Sequence, residues 1–314
     1  MRQVIRAYSE GKRGKGVLDF RVDTFLMVTK YMNYTKAAEA LNITQPAVSQ
    51  HIRWLEDAYG VKLFQYQGKK LRVTKAGELL LAAATTMKHD SIFLRQRLAQ
   101  LEEGESRLIF GATLTIGEYV LPERLAALLK RRPELKIKMV VANTRELLKE
   151  IDEGEVDFAL VEGFFEKSQY DHLTFSRERY LPLCGPASPL ARGPHRLEEL
   201  LGERLLLREK GSGTREILDR LLESRNLSSG DFRELTEINN INVIKGLARE
   251  GRGVTFLYEA AVKRELKEGS LSVIALEDAR INHDFTFVWR KDSVFADYYR
   301  GIFRELSAGE ARRE

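Results

Sequence analysis

Apolar positions in the first quarter of the chain recur at helical spacing. In VDTFLMVTKY, Val22, Phe25, Leu26 and Thr29 share one stripe. TKAAEALNI follows with Ala37, Ala38 and Leu41, and NITQPAVSQHIRWLE places Val48, Ile52 and Leu55 at i, i+4 and i+7. VKLFQYQGKKLRVT then reads as a short hairpin turning around Gly68. Residues 75–103 carry a long helical pattern without proline. Leu80, Met87, Leu94 and Leu101 recur every seven residues, and Ala84, Ser91 and Leu98 form a second row offset by four. Two such rows suggest a helix-to-helix seam, or else a helix packed on its own domain.

From Arg107 the pattern alternates between strands and helices. RLIFGAT, KIKMVVA and VDFALVEG read as strands, with PERLAALLKRR and TRELLKEIDEG as helices between them. A second set follows: ERLLLRE, TREILDRLLESR, ELTEI, NVIKGLAREGR and GVTFLY. LSVIALED and DFTFVWRKD add strands before a last amphipathic helix over about 293–307. This alternation predicts α/β units with mostly parallel strands. The expected divisions are a leader over 1–17, a helical head over 18–75, a linking helix over 76–106 and an α/β region over 107–308.

Pro46 marks where a helix starts. Thr44 is a good N-cap, and a proline in the first turn has no N–H to leave unpaired and a φ already suited to a helix. Asn42 falls in the preceding turn, where an αL residue is often needed. The small pair Ala37–Ala38 lets one helix approach the next, so the head reads as a helix-turn-helix. Gln45, Ser49 and Arg53 line one side of the second helix at i, i+4 and i+8, with Pro46 and Gln50 beside them. Gln, Ser and Arg suit base edges and phosphates. Lys69, Lys70 and Arg72 sit where a wing would meet flanking phosphates, and Thr35 and Lys36 start the preceding helix, another anion-favouring position. The same residues would also serve as a solvated face.

Charge favours the DNA reading. The chain of 314 residues has a formal net charge of +5. Residues 1–17 and 18–75 each carry +4, leaving −3 for the remainder.

TKAAEALNITQPAVSQHIRWLEDAYGVKLF…VTKAGE resembles the N-terminal winged helix-turn-helix of LysR-type transcriptional regulators. The likeness rests on Ala37-Ala38, Gln45-Pro46, Ser49, Leu55-Glu56, Gly60, Leu63-Phe64, Thr74 and Ala76-Gly77. It begins near Leu18 and extends, more loosely, to about residue 306. Asn33, Gln50 and Tyr66 depart from the usual family residues. The resemblance implies a multidomain α/β protein: a winged helix-turn-helix, a long linker helix and a two-lobed effector domain like periplasmic binding proteins. Lobe I would span about 107–178 and 266–308, and lobe II about 179–265. It also implies a double-stranded palindromic operator, a homodimer or homotetramer paired through the linker helix, and a small-molecule effector.

Ligands of open α/β sheets bind beyond the carboxyl ends of strands, near helix N-termini. Three loops lie there. The first carries Thr113 and Thr115, the second Asn143 and Thr144, with Thr144 as the expected N-cap, and the third Gly211, Ser212, Gly213 and Thr214. Hydroxyls and exposed N–H groups suit a carboxylate or oxyanion, although such residues also cap helices. By the resemblance, Thr113, Thr115 and Thr144 match effector-contact positions.

Other chemistry is not indicated. The third loop lacks the Lys-Ser/Thr ending of a phosphate-binding Walker motif, and it is not a G-x-S-x-G nucleophile elbow. Cys184 has no histidine close in sequence, and the five histidines lack metal-ligand spacing. No catalytic set, metal or cofactor is expected. One cysteine rules out an intrachain disulfide and fits a reducing, cytoplasmic setting. The longest apolar run, LLLAAATTM, is too short for a bilayer, and the opening residues lack the apolar segment of a secretory signal. The competing reading is a solute-binding or enzymatic α/β protein with a basic helical head.

Overall fold

The computed structural model describes residues 18–277 and 281–308. The leader expected over 1–17 lies outside the described residues. The chain divides into two units, Met1–Leu101 with Asp152–Gly154, and Glu102–Ile151 with Glu155–Glu314.

The first unit starts with three helices, α1 (Phe20–Tyr31), α2 (Tyr34–Leu41) and α3 (Gln45–Tyr59). Each begins with a side chain that accepts a hydrogen bond from an otherwise unpaired first-turn N–H. Asp19 accepts from Arg21, Asn33 from Lys36 and Thr44 from Ala47. Asn33, a departure from the family pattern, is therefore a working cap. Asn42 ends α2 at φ 53°, and Pro46 lies in the first turn of α3. Phe25, Val28, Ala37, Ala38, Val48, Ile52 and Leu55 close the core together with Leu63 and Phe64. The hairpin pairs β1 (Phe64–Gln67) antiparallel with β2 (Lys70–Val73).

Two residues lock the hairpin to the helices. The buried Glu56 carboxylate accepts from the Leu63 N–H at 3.0 Å and from Lys62 Nζ at 2.6 Å. Thr74 Oγ1 donates to the Lys62 carbonyl at 2.6 Å and accepts from the Gly77 N–H at 3.0 Å. Thr74 thereby caps α4 (Lys75–Glu103). Only part of the anticipated seam is open along α4. Ala84 is buried and Leu80 packs on the helical core, whereas Leu79, Met87, Leu94, Leu98 and Leu101 are exposed.

The second unit is built on a sheet of order β10-β6-β13-β5-β3-β4, with β11 also paired to β6. Its strands are β3 (Ser106–Ala112), β4 (Leu135–Val141), β5 (Phe158–Val161), β6 (Tyr170–Cys184), β10 (Thr255–Tyr258), β11 (Ser272–Val273) and β13 (Ile281–Arg290). A π-helical turn (Ile116–Val120) runs into α5 (Leu121–Arg131), and α6 (Thr144–Glu153) follows β4. Phe110, Phe158 and Phe287 stack through the centre, at 5.2 and 4.4 Å between rings.

The expectation of mostly parallel strands needs correction. β3 is parallel to β4 and β5, but β13 is antiparallel to β5 and β6, and β6 is antiparallel to β10 and β11. The reason is β6, a 15-residue strand that the sequence reading passed over. Its first residue, Tyr170, packs in the lobe I core, and its Leu181 and Leu183 pack in the lobe II core. One strand thus serves both lobes, and the chain returns antiparallel to it in β13.

Lobe II adds β7 (Pro194–His195) and the parallel pair β8 (Arg204–Leu207) and β9 (Glu234–Glu237). Around them lie α7 (Gly213–Glu223), α8 (Ile241–Arg249) and α9 (Glu259–Glu268), the last also unforeseen. The lobe borders drawn at 178/179 and 265/266 cut through β6 and α9. Leu271 belongs to the lobe II core, and β12 (Ala275–Leu276) pairs with β7, so lobe II runs further along the chain. The closing helix is α10 (Ala296–Ser307).

Candidate functional site

α3 presents a polar face beside the hairpin. Gln45 Nε2 donates to Ser49 Oγ at 2.9 Å, the contact expected of residues four apart on a helix. Thr35, Gln45, Ser49, Arg53 and Lys69 line one groove, joined by Lys62 and Tyr66. Lys36, Pro46, Gln50, Lys70 and Arg72 are exposed outside its lining. Tyr66, a departure from the usual family residue, lines the same groove. Among the described residues, Lys36, Arg53, Lys69, Lys70 and Arg72 form no ion pair. These cations are free to meet phosphates.

The second site lies at the carboxyl ends of β3, β5 and β8. Thr113, Thr115, Thr144, Ser212 and Thr214 are all buried there. Most have duties the sequence did not reveal. Thr144 is not the N-cap of α6: Asn143 Oδ1 accepts from the Glu146 N–H at 3.0 Å, the capping position, and Thr144 Oγ1 instead accepts from the Gly163 N–H at 3.2 Å. Asn143 immediately precedes the helix, where a short side-chain oxygen can reach an unpaired first-turn N–H.

The third loop packs tightly on the end of β5. A Cβ at Gly213 would stand 2.5 Å from the Gly163 nitrogen and 2.7 Å from Glu162 Cγ, so only glycine fits. The anion-favouring start of α7 is met by the chain itself. Glu162 Oε1 accepts from the Thr214 N–H at 3.2 Å and from its hydroxyl at 2.6 Å, and Thr115 also hydrogen-bonds this carboxylate. Thr115 and Thr214 are therefore engaged internally rather than open to a ligand. Burial pushes the Glu162 carboxyl above its ordinary range, against the hydrogen bonds of Thr214 and Thr115 and the nearby Arg208 charge.

Four polar atoms in this region are buried with no hydrogen-bond partner in the chain: Thr113 Oγ1, Ser212 Oγ, Arg208 Nη1 and Glu162 Oε2. Ser212 occupies the N-cap of α7 without using its side chain there. Arg208 binds Glu209 through Nε and Nη2, at 2.8 and 2.9 Å, leaving Nη1 aside. An unpaired buried polar group costs about 1–3 kcal/mol, so a cluster of four marks a place built for an outside partner. Gly211 borders it, within 3.6 Å of the Asn143 amide for an added Cβ. Arg145 is exposed, and Arg215 is committed to Glu237 at 2.6 Å and Asp219 at 3.5 Å.

Sequence reasoning missed Glu162 and Arg208. Each follows directly on a buried strand, FALV and RLLL, so the strand-end rule that selected hydroxyls would also have selected them. Among the described residues, no group of three His, Cys, Asp or Glu could hold a metal ion. No helix there is long and apolar enough to cross a membrane.

Family models match both parts of the chain. The family model described as "Bacterial regulatory helix-turn-helix protein, lysR family" matches residues 21–78. That described as "LysR substrate binding domain" matches residues 101–303. The chain is 33% identical over 261 residues to the HTH-type transcriptional regulator YeiE of Escherichia coli (strain K12), covering 83% of this chain and 87% of that one. In fold it is similar to a hydrogen-peroxide-bound mutant OxyR of Corynebacterium glutamicum, with TM-score 0.60 and 22% identity over 92% of this chain and 91% of that one. It is also similar to the Synechocystis CcmR regulatory domain in complex with 2-PG, with TM-score 0.60 and 18% identity over 67% of this chain and 99% of that one.

Proposed function

The chain belongs to the LysR family of ligand-responsive, DNA-binding transcriptional regulators, and on that premise we propose which surfaces meet its DNA and its effector. α3 enters the major groove of a palindromic operator. Gln45, Ser49, Gln50 and Arg53 face base edges and nearby phosphates, with Pro46 at the helix tip, while Thr35, Lys36, Lys69, Lys70 and Arg72 meet the backbone. The unpaired cations of this face support that assignment. Two copies pair through the exposed apolar stripe of α4, which sets two recognition helices on two half-sites, and two such pairs make a tetramer.

The effector is a small anion, a carboxylate or an oxyanion, held between the lobes of the second unit. The observation that carries this is the buried, unpartnered set of Thr113 Oγ1, Ser212 Oγ and Arg208 Nη1. These are two hydroxyl groups and one guanidinium N–H on the loops that follow β3 and β8. Thr115, Asn143, Thr144, Gly211, Gly213 and Thr214 shape the cleft around it. An effector acts on transcription only through its different affinity for two arrangements of the protein. Here the lobes joined by β6 are the elements it bridges.

A thermal-shift panel of small carboxylates and oxyanions on the full chain tests the effector reading. At least one anion raises the melting temperature in proportion to the logarithm of its concentration. No shift with any member removes it. Loss of that shift in Thr113→Val with unchanged operator binding supports the cleft as the site. Loss of both functions together counts against it.

A further inference from the structure

We propose that an anion enters this cleft with one proton shared between it and Glu162, so that the cleft selects anions carrying a hydrogen of their own. The inference rests on the anion reading above and deepens it. Glu162 Oε2 is one of the four unpartnered buried atoms, and its residue is 1% exposed. It is tied to the loops that carry the other three, through Thr115, Thr214, the close approach of Gly213 and the nearby Arg208 charge. Thr115, which bonds this carboxylate, follows Thr113 by two residues, and Thr214, which bonds it twice, follows Ser212 by two. A ligand oxygen placed against Thr113 and Ser212 therefore stands beside a carboxylate oxygen. Two bare anionic oxygens side by side, away from water, repel, and a proton between them turns the repulsion into a charge-assisted hydrogen bond.

The charged surroundings do not remove that repulsion. The Arg208 charge acts on Glu162, but Arg208 is already held in a two-point ion pair by Glu209. On α7, Glu216 and Asp219 are matched by Arg220 and Arg215, each pair at 3.5 Å. From β6 and β10, burial keeps the Tyr180 and Tyr258 phenols protonated, and Tyr180 donates to the Thr214 carbonyl at 2.7 Å. From β13, His283 is drawn towards its neutral form by burial. Among the described groups around Glu162, none supplies a spare positive charge for a second unprotonated anion.

The proton has two sources. An anion such as hydrogenphosphate brings its own and donates it to Oε2. An anion such as sulfate has none at neutral pH, so Glu162 must take one up from solvent on binding. Burial helps that uptake by already raising the carboxyl's affinity for a proton.

The two ions are near-equal tetrahedra, which makes them the probe pair. Calorimetric titration of the wild-type full chain near neutral pH is expected to give hydrogenphosphate about tenfold tighter binding than sulfate, or more. Sulfate binding is expected to consume protons, seen as heat that depends on the buffer, and to weaken about tenfold per pH unit as pH rises. Glu162→Gln carries a permanent N–H, so it is expected to bind both ions alike and sulfate without a pH slope. Equal, pH-independent binding of the two ions by wild type overturns the proposal and leaves the anion reading standing. So does an undiminished preference in a folded Glu162→Gln. Should the variant fail to fold, the wild-type comparison decides alone. Binding of neither ion also overturns it, and the carboxylates of the panel then decide the anion reading separately.

Discussion

Thr214 holds the Glu162 carboxylate twice, through its backbone N–H at 3.2 Å and its hydroxyl at 2.6 Å. An anion expected from outside at the start of α7 is thus supplied from inside, by the residue that ends β5. The carboxylate comes from lobe I and the helix from lobe II, so the bond is also a strap between lobes. Its strength depends on the charge state of one buried group, which makes the strap sensitive to pH as well as to ligand.

That sensitivity gives a stability prediction with a definite sign. Burial raises the folded-state pKa of Glu162 above the ordinary carboxylate value of about 4. A group of this kind contributes stability that is fully present below its unfolded pKa and is lost as pH rises through its folded pKa. Melting temperature measured against pH is therefore expected to fall more steeply for wild type than for Glu162→Gln over the window above the ordinary carboxylate range. Parallel curves would show that Glu162 keeps an ordinary pKa in the folded chain.

Local signals made most elements legible. Thr44, Pro46 and Asn42 fixed the ends of α2 and α3 because caps and αL turns depend on a few neighbouring residues. β6 was not legible. Its stretch from Asp171 to Glu178 holds only two large apolar residues, Leu173 and Phe175, and the strand exists because β13 and β10 pair with it from more than 70 positions away in sequence. The same limit applied at the cleft. Hydroxyls before helices stood out, but their partner Glu162 is 52 residues from Thr214, and no spacing rule joins them. Thr144 shows the local error: Asn143 and Thr144 are both good caps, and only the backbone entering α6 decides between them.

Gly77 separates helix propensity from packing. Alanine is the better helix former by about 1 kcal/mol. A Cβ at this position, however, would lie 2.3 Å from the Leu63 carbonyl oxygen and 2.6 Å from Val73 Cγ1. Gly77→Ala must move α4 or the hairpin and is expected to cost about 1–3 kcal/mol net. Chemical denaturation followed through the helical signal measures it. An unchanged or higher midpoint would mean that the hairpin yields without loss.

Arg53 and Lys70 test the two parts of the DNA face against each other. Lys70 lies on the exposed side of the hairpin and is proposed to meet phosphate alone. Lys70→Ala is expected to weaken all DNA sequences alike and to lower the salt slope of binding by about 0.9. Arg53 lies on the helix that faces bases, so Arg53→Ala is expected to lose about 1–3 kcal/mol on the operator and less on random DNA. Fluorescence anisotropy on both duplexes over a salt series reads both effects. Equal losses on the two duplexes for Arg53→Ala would assign it to the backbone.

The exposed apolar stripe on α4 calls for a partner. Leu79 and Leu101 are about three-quarters exposed, and Met87, Leu94 and Leu98 lie on the same side between them. Single exposed leucines are ordinary, but five on one helix face form a contiguous apolar strip of the kind that marks an association surface. A charge placed in its middle loses that burial and leaves an ion against apolar neighbours, while the chain's own core, which does not include Leu98, is untouched. Leu98→Asp is expected to shift the protein to smaller species in sedimentation velocity with little change in helical content. Operator affinity is expected to fall with it, because a single recognition helix keeps half of the contacts. An unaltered sedimentation profile would exclude this face of α4 as the seam.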